Sequence, residues 1–506
     1  MTEEETARLL VAQREELEML RRQLAQLLEQ LAVQNTRIAE LVAMVQRKGR
    51  APAPPTKPPA APSTLDDAAR EAFDKRPRPP ELPPKVKPAG PKRPPTGRKP
   101  VPDHLEAEEH LLRPDACAQC GSNKLDVADT LVEEKLHVVK EHVRRRVVTR
   151  ITCRCPACGE RTTPRSLPAP YTRSKITCEF LAWLVHSKFA MLTPLDRTRR
   201  DLKERDVSLA TATLVGFIER AADLLAAIDG YHWQQLLAGP WMATDGTSLK
   251  VLVKGAPTAH NGYLELYRND ECAVFQYEAT KESAPLESKL AKFTGTLTAD
   301  AENRFDPVFK SGEVVEAGCN AHARRKFRDA EATQPVLAAE GGQFISAIYI
   351  EENEAQKLGL TGDALRERRR TRITPILEEF DKWREATEPS LLPSEPLAQA
   401  IRYYDNHRDA LYRFVDDPHV PIDNSPTERE FQNVAKLRFN MLFAGSTEGA
   451  HRACVLLGIV ATCRAVGVPI QAYLAWAFER LGTHRDLFDL PIHELTPAAF
   501  KKTLKA

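Results

Sequence analysis

Three acidic residues in the second half of the chain stand where divalent cations could be held. Asp245 lies within the apolar run WMATDGTSLKVLV, Asp300 ends the run GTLTAD, and Glu428 lies in IDNSPTERE at the opening of a helical pattern. Hard divalent cations need oxygen ligands that converge from separate elements, and two such ions can serve an in-line displacement at phosphorus. Two strands and a helix, each delivering one carboxylate, therefore predict a two-metal phosphoryl-transfer site, with Asp306 as the alternative to Asp300.

The elements that must position these acids follow from the hydrophobic period. After Pro240, residues 241–253, 263–268 and 272–278 read as three strands joined by turns at 255–262 and 269–270, a meander. A helix over 285–293, a strand over 295–300 and another over 313–318 follow, the last running into HARRKFRDA. This is the order of a ribonuclease-H-like sheet, in which the first and fourth strands are neighbours, so Asp245 and Asp300 can share metal ions. His322, Arg324, Arg325 and Lys326 follow the fifth strand and are expected near the substrate's phosphates, packing being the competing role; His322 reads equally as a buried hydrogen-bonding residue. Arg429 either orients Glu428 or contacts DNA.

With 506 residues the chain is expected to hold three or four folded units. The net charge of +2 hides basic runs at 85–99, at 140–154 with Arg144, Arg145 and Arg146, and at 197–205, a distribution suited to holding a polyanion ahead of an acidic site. The most apolar stretch, 453–461, stops before Arg464, and the first twenty residues lack a signal-peptide core, so the expectation is a cytoplasmic protein with no membrane partner.

Leu10, Leu17, Leu24, Leu31, Ile38 and Val45, with Leu20, Leu27 and Leu41 between them, form a heptad seam that predicts a coiled coil and hence a homodimer or higher oligomer. Residues 51–102 hold roughly half of the 38 prolines and read as an extended basic spacer, with a short helical segment at 65–73. Cys117-x2-Cys120 and Cys155-x2-Cys158 flank an alternating stretch and predict a zinc ribbon with four thiolates on Zn²⁺; Cys153 competes with Cys155, and spacing favours Cys155. The stretch DRTRRDLKERDVSLATATLVGFIER reads as a helix-turn-helix-like pair, its second helix capped by Ser208.

In sequence order, the chain also resembles transposases of insertion-sequence family 66, of the DDE class. The resemblance is carried by the cysteine module, Pro194-Leu195-Asp196-Arg197, an Asp with Thr two positions on (Asp245 and Thr247), the block GCNAHARRKF over 318–327, and IDNSPTER followed by LFAGSTEGA. It implies that Asp245, Asp300 and Glu428 are the catalytic acids and Mg²⁺ (or Mn²⁺) ligands. It implies double-stranded DNA, as element ends and target, as the substrate, with accessory proteins of the same element as further partners. Where the family has Asp-Glu-Thr, Asp-Gly-Tyr and Asp-Asn-Asn, this chain has Asp245-Gly246-Thr247, Asp300-Ala301-Glu302 and Asp423-Asn424-Ser425. A transposase-derived regulator that binds DNA without cutting it is the alternative.

The expected fold class is multidomain α+β. Its parts are a coiled coil over 1–48, a disordered Pro/Lys/Arg-rich linker over 49–104, a zinc module over 105–165 and a helical, DNA-binding domain over 170–238. A ribonuclease-H-like core over 239–334 and 416–482 is then interrupted by a helical insertion over 335–415 and followed by a tail over 483–506.

Overall fold

The computed structural model of the chain describes residues 62, 65–83, 153–154, 161–162, 167–300, 302–441, 444–482 and 490–505. The expected coiled coil, the zinc ligands Cys117, Cys120, Cys155 and Cys158, and the run Arg144, Arg145, Arg146 lie outside the described residues. The described part is a mixed α+β structure built on one five-stranded sheet.

Helix α1 (Asp67–Asp74) opens the described chain and is capped by Asp66, whose Oδ1 accepts from the Ala69 N–H at 2.7 Å. A two-residue ribbon follows, β1 (Cys153–Arg154) paired antiparallel with β2 (Arg161–Thr162). Helices α2 (Cys178–Val185), α3 (Leu195–Glu204) and the 28-residue α4 (Thr211–Ala238) then lead into the sheet. The cap expected at Ser208 is not used: α4 starts after Ala210, with no side-chain cap, because Asp206 turns the backbone at φ 59° and the following residues run extended.

The sheet consists of β3 (Trp241–Val251), β4 (His260–Arg268), β5 (Ala273–Glu278), β6 (Thr296–Thr298) and β7 (Val315–Ala317) in the spatial order β5-β4-β3-β6-β7. The first three strands form an antiparallel meander, whereas β3–β6 and β6–β7 are parallel. The parallel crossovers are made by α5 (Ser283–Leu290) and α6 (Asp306–Lys310). Alternation of side chains along β3 decides what each face meets. Met242 joins Leu236, Leu290, Leu297 and Tyr267 under α5 and α6. Trp241 and Ala243 point the other way, into a core with Ala317, Ile348 and Phe414, and farther along the same face Leu249 and Val251 join a third core. Asp245 continues this alternation and therefore falls between two packed regions rather than inside either.

After β7 come α7 (Asn320–Ala330), α8 (Pro335–Lys357), α9 (Gly362–Arg372), α10 (Thr374–Thr387), α11 (Pro396–Asn406) and α12 (Arg408–Asp416). Phe327 of α7 is locked among Phe344, Phe380, Trp383 and Tyr404. Gly341 permits the approach: a Cβ there would lie 2.6 Å from the Phe327 ring. Phe73 of α1 enters this same aromatic core, only 1% exposed, and Arg76 pairs with Glu340 at 3.4 Å. This part of the proline-rich stretch is thus docked rather than an extended spacer, since its few bulky apolar residues find in the helical region the partners they lack locally.

The chain ends with α13 (Ser425–Met441), α14 (Thr447–Val466), α15 (Ile470–Gly482) and α16 (Pro497–Lys505). By length and composition α14 could cross a membrane, the one such helix among the described residues. It instead packs into the core against β5, where Thr462 exchanges hydrogen bonds with the N–H and carbonyl of Ala273 at 3.0 and 3.1 Å.

Candidate active site

Strand register brings the site together. Ala243 pairs with Thr298, and Thr298 with Ala317. Two residues farther along each of these parallel segments come Asp245, Asp300 and Cys319, on the same side by the period-two rule. Polar groups at the carboxyl ends of adjacent parallel strands form a natural edge for a site.

Glu428 reaches that edge from α13, and a set of long-range hydrogen bonds fixes the approach. Asn424 donates through Nδ2 to the Thr244 carbonyl at 2.9 Å, tying the start of α13 to the residue before Asp245. The Asn424 N–H points to Cys319 Sγ at 3.3 Å, and Asp423 Oδ1 accepts the Ser425 N–H at 2.9 Å at the helix start. Next to Cys319, Asn320 donates to the carbonyls of Leu411 and Ile422 at 2.9 and 3.1 Å while accepting from Tyr404 Oη at 2.8 Å. The blocks GCNAHARRKF and IDNSPTER are therefore two halves of one joint. Nothing in local spacing signals these partners, and Cys319, Asn320 and Asn424 were not expected as site-building residues. Cys319 could have been found by noting that it follows a strand as Asp300 does.

His322 stands between two of the acids. Its Nδ1 lies 2.7 Å from Asp300 Oδ1 and its Nε2 3.4 Å from Glu428 Oε1, while Arg325 lies 3.6 Å from Glu428 Oε2. Neither His322 Nδ1 nor Glu428 Oε1 forms a directed hydrogen bond, so proximity and charge hold this arrangement more than N–H alignment does. The contact with Asp300, followed by that with Cys319, pushes the imidazolium up to about 10 against the opposing effect of burial. Asp245 is pushed up to about 6, first by burial and then by its acidic neighbours Asp300 and Glu428; the Gly246 N–H at 2.7 Å and His322 act in the opposite sense.

Asp306 is exposed at the start of α6, where its charge acts on Glu316. Among the basic residues, Arg325 turns to the site, while Arg324 lies over the Tyr349 ring at 5.2 Å and Lys326 over Tyr403 at 4.5 Å. Tyr349 in turn donates to Asp423 at 2.7 Å, so Arg324 stacks on a residue of the joint. Arg429 is exposed, one position beyond Glu428.

Two donor sets overlap at Glu428. Cys319, His322 and Glu428 have ligand atoms within 4.8 Å of one another and could hold a metal ion. Asp245, Asp300 and Glu428 supply oxygen alone. Glu428 Oε1 is buried without a hydrogen-bond partner, which fits an oxygen reserved for a cation. All-oxygen donors suit Mg²⁺ or Mn²⁺, whereas the sulfur and imidazole of the other set suit softer metals.

Comparison with known proteins adds the family. A family model described as transposase IS66 family matches residues 173–452, which includes the sheet, the joint and all three acids. Among similar proteins, the uncharacterized protein y4hP of Sinorhizobium fredii (strain NBRC 101917 / NGR234) is 28% identical over 444 residues, covering 81% of this chain and 78% of its own. From the same organism, uncharacterized protein y4qI is 26% identical over 77% of this chain and 75% of its own length, and y4jD is 25% identical over 75% and 78%.

Proposed function

We propose, from the premise that this chain belongs to the IS66 transposase family, that it cuts and joins DNA strands at the ends of a mobile element with Asp245, Asp300 and Glu428 as its DDE-type catalytic acids. The observation that carries the reading is the approach of these three residues from two parallel strands and one helix, with one Glu428 oxygen that no hydrogen bond holds and that has the His322 imidazole 3.4 Å away. The strand order and directions are those expected of a ribonuclease-H-like sheet, which supports the same assignment.

Two Mg²⁺ or Mn²⁺ ions bound by these oxygens would supply charge neutralisation for the attacking and leaving oxygens of an in-line phosphoryl transfer. The chain's own residues do the rest. Asp245 sits on β3, one of its oxygens held by the Gly246 N–H at 2.7 Å. Asn424 fixes the spacing between this strand and the Glu428 helix. His322 and Arg325 contribute positive charge beside Asp300 and Glu428, where phosphate oxygens of the scissile strand would lie. Water attacks the scissile phosphorus and releases the 3′-hydroxyl of the element end; that hydroxyl then attacks a target phosphodiester, joining to its phosphorus and releasing a target 3′-hydroxyl. In this reading the four-cysteine module binds Zn²⁺, the amino-terminal heptads pair two or more copies, and the protein acts on chromosomal DNA in the cytoplasm.

The test is strand cleavage of the DNA that flanks the gene, where terminal repeats belong. Wild-type protein should nick this DNA with Mg²⁺, and Asp245→Asn should bind it unchanged but leave it uncut. Cleavage by the variant at the wild-type rate removes Asp245 from the mechanism; Mg²⁺-independent binding with no cleavage by wild type favours the regulator instead.

A further inference from the structure

Phe439 is the most exposed large apolar residue of the described chain, at 85%. It is not on a frayed end. Arg438 donates to the Ser248 carbonyl at 2.6 Å and Asn440 Nδ2 to the Leu192 carbonyl at 2.8 Å, so both neighbours of Phe439 tie the helix down while its ring is held outward. Burying that ring in water-free surroundings is worth kilocalories, and a fold that instead fixes it in solvent leaves an apolar face for something else.

The position of Phe439 on α13 says what that something is. Exposed residues of this helix fall at Arg429, Gln432, Lys436, Phe439 and Asn440, a spacing that keeps them on one side. Eleven residues separate Glu428 from Phe439, three helical turns, which places the ring nearly in line with the catalytic acid and about 16 Å along the axis. Along this face the charges are basic, Arg429 and Lys436, while Glu430 turns inward to Arg464 at 2.8 Å. Exposed Met191, beside the Leu192 that anchors Asn440, extends the apolar end. A face that starts at a carboxylate site, continues through cations and ends on a solvent-facing aromatic matches a nucleic-acid strand: phosphates on the cations, a base on the ring.

We propose that the exposed face of α13 is a track for the DNA strand leaving the carboxylate site, with Arg429 and Lys436 on its phosphates and Phe439 stacked on an unpaired base about 16 Å along the helix axis from Glu428. The proposal rests on the DNA-cutting reading above and deepens it by assigning the substrate's path.

The experiment titrates full-length protein with a fluorescein-labelled duplex of mixed sequence carrying a single-stranded tail of about ten nucleotides. Phe439→Ala should weaken binding about tenfold, Phe439→Trp should restore it, and Lys436→Ala should lower the slope of log Kd against log salt by about one. Because both side chains are exposed, thermal melting should be unchanged in all three variants. Wild-type affinity in Phe439→Ala overturns the track. So does a change of oligomeric state in sedimentation with DNA binding intact, which would make the patch a contact between copies of the chain. Mg²⁺-dependent nicking by wild type, run alongside, separates the two levels: if wild type cuts and Phe439→Ala binds normally, only the track is lost, and if wild type neither binds nor cuts, the DNA-cutting reading falls with it.

Discussion

Asp245 and Glu265 lie on adjacent antiparallel strands, where Glu265 pairs with Gly246, yet they occupy opposite electrostatic worlds. Glu265 is 1% exposed and is surrounded by cations: Lys289 Nζ at 2.8 Å, the Arg304 guanidinium, and the Tyr267 hydroxyl donating at 2.8 Å. Burial pushes its carboxyl up, but Lys289 and Arg304 outweigh burial and hold it below the ordinary range. Asp245, less buried, is pushed up to about 6, first by burial and then by the acids Asp300 and Glu428, which together outweigh the Gly246 N–H and His322. Glu265 is thus neutralised by protein cations in direct contact, whereas Asp245 is acted on chiefly by burial and by other acids.

The largest test of that contrast is Asp245→Asn, expected to lower strand cleavage by at least about 10³-fold. It should also stabilise the metal-free protein. Asp245 takes up its proton more readily folded than unfolded, rising from 3.8 to about 6, so its contribution to stability declines as pH rises through that window. Above it the ionised side chain is a liability. Melting curves should therefore show the variant more stable by about 1 kcal/mol at neutral pH, allowing for partial exposure, and indistinguishable near pH 4. Glu265→Gln should do the reverse, costing about 3 kcal/mol in denaturant titrations because Lys289 and Arg304 lose their shared partner. Equal and same-signed effects would break the comparison.

Much of this was legible in the sequence, and what was not has a common cause. Asp245 lies within one apolar strand pattern, Asp300 ends another and Glu428 opens a helix, so local periodicity was enough to nominate them. The positioning residues act over distances that no local pattern records: Asn424 reaches a carbonyl 180 positions away and Cys319 a backbone N–H 105 positions away. Phe73 was hidden for the same reason, since its partners lie in a helical region far along the chain. The unused Ser208 cap is a local miss, overridden by the positive-φ turn at Asp206.

Two smaller predictions sharpen the contrast further. Asn424→Ala unties the Glu428 helix from β3 without touching a charge, so cleavage should fall up to about 10²-fold through misplacement while the pH dependence of stability stays that of wild type. Phe73→Ala sits far from both acids. It should expose residues 65–83 to limited proteolysis while changing global stability by no more than about 1 kcal/mol, since a docked segment opens on its own. A shifted pH profile in either variant would mean that Asp245 is not the source of that profile.

The central claim, that Asp245, Asp300 and Glu428 form a cation site and Glu265 does not, is tested most directly by Mn²⁺ titration of the full-length protein followed by electron paramagnetic resonance of the free ion. Affinity should fall at least about tenfold in Asp245→Asn, a loss of about 1.4 kcal/mol, and remain at the wild-type value in folded Glu265→Gln. Unchanged Mn²⁺ binding in Asp245→Asn would contradict the account.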